Sequence, residues 1–202
     1  NIQPCIRLND LESLGDGSHL AYFNMMGLFS FRGWGIKEAI DFWIEYLATI
    51  GIRPDWVTVH PDKTEWISLH SVEVKLDDQC QWTDGKIGGY CTEFYWKGVE
   101  IGNIVNPLNT CIDVGFGLER LDVLVNDRVP PTESNSLISC ITKIIESGVR
   151  PSNLKHGYVL RKLLRRLYKI GGTLDHEFFK AEIVRQIKNR QRYDKLKDKH
   201  IN

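Results

Sequence analysis

No part of this chain of 202 residues approaches a run of about eighteen apolar residues, so no membrane-spanning helix is expected. The charged start and apolar core of a secretory signal are missing too. Cysteine is sparse: Cys5, Cys80, Cys91, Cys111 and Cys140 show no C-x-x-C spacing. An odd, unpatterned set of this kind reads as reduced thiols in a cytoplasmic protein. The alternative is a zinc site drawing on Cys80, Cys91 and His70. There is no internal repeat and no low-complexity tract. Nor is there net charge, since 26 Lys and Arg balance 26 Asp and Glu. Asn1 is not an initiator methionine, and further sequence upstream of it is expected.

The balance of charge hides an asymmetry. Residues 151–202 carry 14 basic against 5 acidic side chains, and the first 150 carry the opposite surplus. An acidic half joined to a basic, anion-seeking arm fits that distribution; a solvated helical face is the other reading. Apolar residues make up 42% and charged residues 26%, ordinary for a soluble globular chain with room for a core.

Two textures follow each other. Up to about residue 128, segments rich in aromatic and β-branched residues predict strands over 5–8, 19–31, 66–76, 92–96, 99–106 and 110–114. Apolar residues Ile36, Ala39, Ile40, Trp43, Tyr46, Leu47 and Ile50 fall at helical spacing and predict a helix over 36–50. A second helix, over 118–124, follows from Leu118, Leu121 and Leu124. Beyond residue 128 the chain turns helical. A helix capped by Thr132 or Ser134 runs to 146, another spans 158–170 and ends on Gly171, and a basic helix starts near 175 and frays by Lys195. The fold class is α+β, with a first domain over 1–128 and a helical, basic segment over 129–202.

The run from Asp113 to Arg120, D-V-G-F-G-L-E-R, is the strongest chemical signal. It closes a strand and opens a helix, where glycines let a nucleotide approach the backbone. Arg120 follows at a fixed offset, and a guanidinium can pair with a phosphate at two points. A Rossmann fingerprint is excluded because Arg120 stands where the third glycine would be. The pattern is that of motif 3 in class II aminoacyl-tRNA synthetases. Near the N-terminus, Arg7 on one strand, a turn through Gly15, Asp16 and Gly17, and an aromatic returning strand reproduce the motif 2 hairpin.

With these stand four further blocks: F-N-M-M-G-L-F-S-F (23–31), C-T-E-F (91–94), E-I-G-N-I-V (100–105), and P-S-N with G-Y-V-L-R-K-L-L-R-R (151–166). Together with Q-P-C-I-R-L-N-D (3–10) and motif 3, they resemble the alanyl-tRNA synthetase family in the same order over about 3–172. The resemblance implies a class II antiparallel sheet flanked by helices, followed by a small helical segment. It implies activation of alanine, or another small amino acid, by ATP with Mg, and transfer to tRNA through the acceptor stem.

Carried over by motif, Arg7 contacts the α-phosphate and the amino-acid carboxylate, and Arg120 contacts the ATP phosphates. Asp113 receives the α-ammonium of alanine, with Asn103 and Gly115 lining the pocket. His19, Tyr22, Asn24 and Gly117 fall at ATP-contacting positions, and Glu100 at the position of a magnesium carboxylate. Asn153, Arg161 and Arg165 fall on the RNA-contacting segment. Glu100 and Asn103 are three apart, which an ideal strand places on opposite faces, so a bulge at Gly102 is expected.

The chain also departs from the family. Ser18 stands where a second motif 2 arginine is usual, Tyr22 replaces a phenylalanine, and Asn24 replaces an acid. Trp82 lies near, but out of register with, the tryptophan of the alanine pocket. Motif 1 would precede Asn1, the stretch between Arg120 and Pro151 is short, and the aspartate partner of Asn153 would lie beyond Asn202. A degenerate RNA- or nucleotide-binding module is therefore the alternative, as is an acceptor other than tRNA.

Overall fold

The computed structural model describes residues 1–199, so the last three residues of the 129–202 segment lie outside it. The chain forms two compact units. One comprises Asn1–Cys5 and Phe23–Pro130; the other comprises Ile6–Tyr22 and the chain from Pro131 onward. The turn that carries Arg7 and His19 thus belongs with the helical segment rather than with the sheet.

The first unit is built on an eight-stranded sheet. Its strands are β1 (Ile2–Ile6), β2 (Tyr22–Phe31), β3 (Trp56–Val59), β4 (Glu73–Leu76), β5 (Gln81–Thr83), β6 (Gly88–Trp96), β7 (Val99–Pro107) and β8 (Cys111–Gly117). They lie in the order β1-β2-β8-β7-β6-β3-β4, with β5 beside β6. The pairs from β2 through β8, β7 and β6 to β3 are antiparallel, but β3 and β4 are parallel. The α+β class and a largely antiparallel sheet are as expected, and the parallel β3–β4 pair makes the sheet mixed. Parallel neighbours need a crossover, and the segment Pro61–Leu69 supplies it as 3-10 turns. The strand expected over 66–76 starts only at Glu73 for this reason. The His60 imidazole accepts from the Asp62 N–H at 3.0 Å and caps the 3-10 segment, and Pro61 occupies a first-turn position that needs no N–H donor.

Helix α1 (Ile36–Thr49) lays Ala39, Ile40, Trp43 and Leu47 on one face of this sheet. The Trp43 ring stacks on Phe116 of β8 with centroids 4.7 Å apart. Burying one such side chain contributes roughly 1.5–3 kcal/mol, and the whole cluster anchors β8 from beneath. Helix α2 (Leu118–Val125) begins directly at the end of β8 and buries Leu121 in the same core.

The second unit packs α3 (Glu133–Glu146), α4 (Lys155–Lys169) and α5 (Glu177–Lys199) with residues 6–22. Its core holds Leu11, Leu14, Leu137, Ile141, Leu160, Leu164 and Phe179. Thr132 is the cap of α3, its hydroxyl accepting from the Asn135 N–H at 3.2 Å. Gly171, with φ +76°, takes the left-handed conformation that closes α4. α5 does not fray at Lys195 but continues to Lys199. Among the described residues no helix is long and apolar enough to cross a membrane.

Candidate active site

Alternation along β8 separates two faces. Ile112, Val114 and Phe116 are buried against α1's side, while Asp113, Gly115 and Gly117 are half buried on the other. Cross-strand partners share a face, so register extends the second face across the sheet. Gly27, Gly115, Asn103, Glu93 and Thr58 form one row from β2 to β3, and Phe29, Asp113 and Val105 form the next. Asp113, Asn103 and Gly115 are therefore brought together, as their motifs imply.

Glu100 joins them through a bulge. β6 offers Phe94 and Tyr95 where β7 offers Gly102 and Glu100, leaving Ile101 as the extra residue. Gly102 is not the bulged residue. It is paired with Phe94 and Phe116, and a Cβ there would come within 2.4 Å of the Phe116 ring. Gly102 is needed for close approach, and the buried Ile101 takes up the extra step.

Burial pushes the Asp113 carboxyl above its usual range, and no described residue hydrogen-bonds or ion-pairs with it. A half-buried carboxylate without a partner can receive a cation. The floor beside it at Gly115 is covered by Met25, whose sulfur lies 2.7 Å from where a Cβ would stand. That cover is a flexible thioether rather than backbone. The Arg120 guanidinium donates to the Glu100 carbonyl at 2.7 Å. Glu119 holds Asn24 twice, accepting from the Asn24 N–H at 2.8 Å and from its side-chain amide at 2.7 Å, so Asn24 is engaged by the motif 3 carboxylate.

The other motif 2 residues belong to the second unit. Arg7 is exposed and donates to Asp10 at 2.6 Å. His19 is not a loose cation: its Nδ1 lies 2.6 Å from the Asp16 carboxylate, which also accepts the N–H groups of Ser18 and His19. Burial works against the charge on Asp16, but these donors outweigh it and hold the carboxyl well below its usual range. Tyr22, the ring expected to stack adenine, packs against the helical core of its own unit.

The RNA-segment assignment needs one correction. Arg161 is not on the solvent side of α4 but buried, its side chain 7% exposed, with Nε donating to Glu182 of α5 at 3.0 Å. It also donates to the Asn153 side-chain carbonyl. A charged head at a core-facing helix position is stabilised by its buried partner, so helical spacing alone misplaced it. The solvent side carries Tyr158, Lys162, Arg165 and Lys169 instead, and these line a groove of about 430 Å³ with Leu8, Asn9 and Glu12. Arg165 lies over the Tyr158 ring at 5.7 Å. Arg166, at the groove's edge, is tied to Glu12 and Glu133.

The zinc alternative is corrected too. His70 hydrogen-bonds Thr92 at 3.1 Å, and Thr92 faces the sheet side opposite Cys91 and Glu93. The third group beside Cys80 and Cys91 is Glu93. Glu93 lies within the C-T-E-F block, which by itself gives it no role. Its alternation with Cys91 is readable in the sequence, whereas its pairing with Asn103 is not.

Residues 1–128 match the family of class II (A) tRNA synthetases. Over 266 aligned residues the chain is 27% identical to an alanine--tRNA ligase of Tropheryma whipplei (strain Twist), covering 93% of this chain and 30% of the relative. It is 28% identical to the alanine--tRNA ligase of Chlamydia muridarum, covering 90% of this chain and 30% of that protein. A chloroplastic/mitochondrial alanine--tRNA ligase of Oryza sativa subsp. indica is 29% identical, covering 84% and 25% respectively. The chain thus spans about 30% of the length of the first two relatives. The alignment of 266 residues exceeds this chain's 202, so the relatives carry insertions that it lacks. The family match covers well over half of the chain, it falls on the sheet that carries Asp113, Asn103 and Arg120, and the chain accordingly belongs to the class II tRNA synthetases.

Proposed function

We propose that this protein activates alanine, or a similarly small amino acid, with ATP to form the aminoacyl-adenylate, and passes the aminoacyl group to tRNA. The observation that carries this reading is Asp113, half buried, raised by burial, unpaired among the described residues and in register with the Asn103–Gly115 pair. An α-ammonium supplies the positive charge that such a carboxylate lacks.

The reaction is an in-line attack of the amino-acid carboxylate on the α-phosphate, and both partners are anions. Catalysis then depends on cancelling repulsion and holding geometry more than on an acid or base. Arg120 acts on the ATP phosphates, and Arg7 supplies the motif 2 cation. Glu100 would hold Mg²⁺, an ion that favours one or two carboxylates plus substrate phosphates, and its face, shared with Asn103, fits that task. When bound, Mg²⁺ would supply charge that offsets the phosphates. The solvent row Lys162, Arg165 and Lys169 serves the tRNA acceptor-stem backbone. A cytoplasmic setting, in which the five free cysteines stay reduced, belongs to the same reading.

Amino-acid-dependent exchange of pyrophosphate into ATP tests it. Alanine should drive exchange best, with glycine and serine leaking through, because one methylene separates substrates by only about 1–3 kcal/mol. Exchange driven mainly by a bulky or charged amino acid would remove the alanine assignment. A second reading rests on Ser18 at the place of the usual arginine and on the engagement of His19 by Asp16. In that reading the chain is an RNA-binding module without turnover, and minihelix binding with no exchange for any amino acid would establish it.

A further inference from the structure

Beneath the turn that links β4 to β5, three groups of metal-binding type converge in the sheet unit. Cys80 and Cys91 are 0% and 2% exposed, and their sulfurs stand 3.2 Å apart. The Cys91 N–H donates to the Cys80 carbonyl at 3.0 Å, which fixes the two backbones side by side. Glu93, two residues along β6 and on the same face as Cys91, completes a set whose donor atoms all lie within 4.8 Å of one another. With Val105 the two thiols form a small buried cluster separate from both main cores.

The carboxylate is aimed. Glu93 Oε2 accepts from the Tyr95 hydroxyl at 2.9 Å and from Thr58 at 3.2 Å. Its other oxygen, Oε1, accepts from the Cys91 thiol at 3.9 Å. Outer hydrogen bonds that orient one oxygen and turn the other towards a thiol, whose proton a metal ion would replace, are the usual support of a metal ligand. The Thr58 hydroxyl also lies 3.3 Å from Cys80 Sγ.

The geometry points to a binding site for a soft divalent cation, Zn²⁺ or a close analogue, held by Cys80, Cys91 and Glu93. Tetrahedral ligation with metal–sulfur bonds of about 2.3 Å separates two thiolates by about 3.8 Å. The sulfurs need to open by about half an ångström, within reach of small side-chain rotations. A disulfide, by contrast, would leave Glu93 Oε1 facing an apolar bridge, buried and uncompensated. Two thiolates and a carboxylate leave one tetrahedral position for water or another ligand.

The inference does not rest on the adenylation reading, and its readout is metal rather than turnover. The reduced, metal-stripped chain is titrated with Co²⁺, whose thiolate charge-transfer absorption reports sulfur ligation. Saturation at about one Co²⁺ per chain is expected, with displacement by Zn²⁺. Cys80→Ser and Cys91→Ser should each remove most of the charge-transfer intensity. Glu93→Gln, close to isosteric, should keep the fold and weaken Co²⁺ binding at least about tenfold, and Thr58→Val should weaken it by a similar factor. Circular dichroism confirms that each variant is folded. No charge-transfer band in the reduced parent, or a band that survives in the folded Cys80→Ser, Cys91→Ser double variant, overturns the site. So does undiminished Co²⁺ affinity in Glu93→Gln.

Discussion

In the sheet unit, Asp113 is a half-buried carboxylate with no partner among the described residues, and Glu93 is raised by burial and by the charge of Glu100. In the helical unit the corresponding charges are matched. Arg161 is paired with Glu182 in the core, Arg166 with Glu12 and Glu133, and His19 with Asp16. Burying a charge costs several kcal/mol unless a partner offsets it. Matched charges hold a structure together, and unmatched ones persist where a ligand of opposite sign is due. Along one side of α4 the exposed or half-buried cations Lys162, Arg165 and Lys169 form no salt bridge among the described residues, and there solvation keeps the cost low.

The sharpest way to break this comparison is to unmatch a buried pair. Glu182→Ala strands Arg161 in the core and should destabilise the chain by about 3–5 kcal/mol in denaturant melts. Replacing both residues by leucine should recover most of that deficit. A single substitution as mild as the double one would mean that the pair is not buried in solution. His70 gives the next effect. Burial lowers its pKa from 6.5 to about 4, and its Nδ1 has no hydrogen-bond partner among the described residues. Between those values the unfolded chain binds the extra proton, so stability is lost as pH falls from 6.5 through 4, by up to about 3 kcal/mol. His70→Leu should flatten that acid limb in melts recorded across the range; an unchanged limb would assign it to other groups.

Asp113 reverses the sign. Its carboxyl is raised from 3.8, so the folded chain holds the proton longer, and stability falls as pH rises through the window just above that value. Asp113→Asn should remove this slope without unfolding the chain. It should also lower amino-acid-dependent exchange at least about 100-fold, equivalent to about 2.7 kcal/mol. Exchange at parental rates would show that the unpaired carboxylate is not an ammonium receptor. The smallest change concerns the exposed row. Replacing Lys162, Arg165 and Lys169 by alanine should leave stability within about 0.5 kcal/mol. Minihelix affinity should fall, and the salt slope should drop by about 0.9 for each phosphate that the row no longer neutralises. A slope that does not move would detach this row from RNA.

Where the pattern was local, it was readable. Helix α1 matches the spacing from Ile36 to Leu47 within a residue or two, and the strand-to-helix break at Gly117 follows from motif 3. β3 escaped notice because its four residues, Trp56–Val59, are short and buried without alternation. The 3-10 crossover looked like strand because Trp66 and Ile67 carry β-forming side chains, and what bends them is the capped turn at His60 and Pro61. Within the site, Asp113, Asn103 and Gly115 could be named from their motifs, and Glu100 was expected beside them only by way of a bulge. Glu93 could not be found that way, since its neighbours are fixed by strand pairing.

The ordered motif blocks carried the resemblance to the family, while residue order and periodicity by themselves determined most of the succession of strands and helices. These depend on contacts between residues close in sequence, whose spacing repeats with the period of the backbone. Only the tertiary structure decided that the extra residue at Ile101 turns Glu100 onto the face of Asn103. It alone placed Glu93 against Cys80 and Cys91 and drew Arg161 into the core against Glu182. Those outcomes turn on strand register and on which helix packs over a given side chain. Both are set by partners distant in sequence, and a shift of one residue in register would exchange the two faces of a strand.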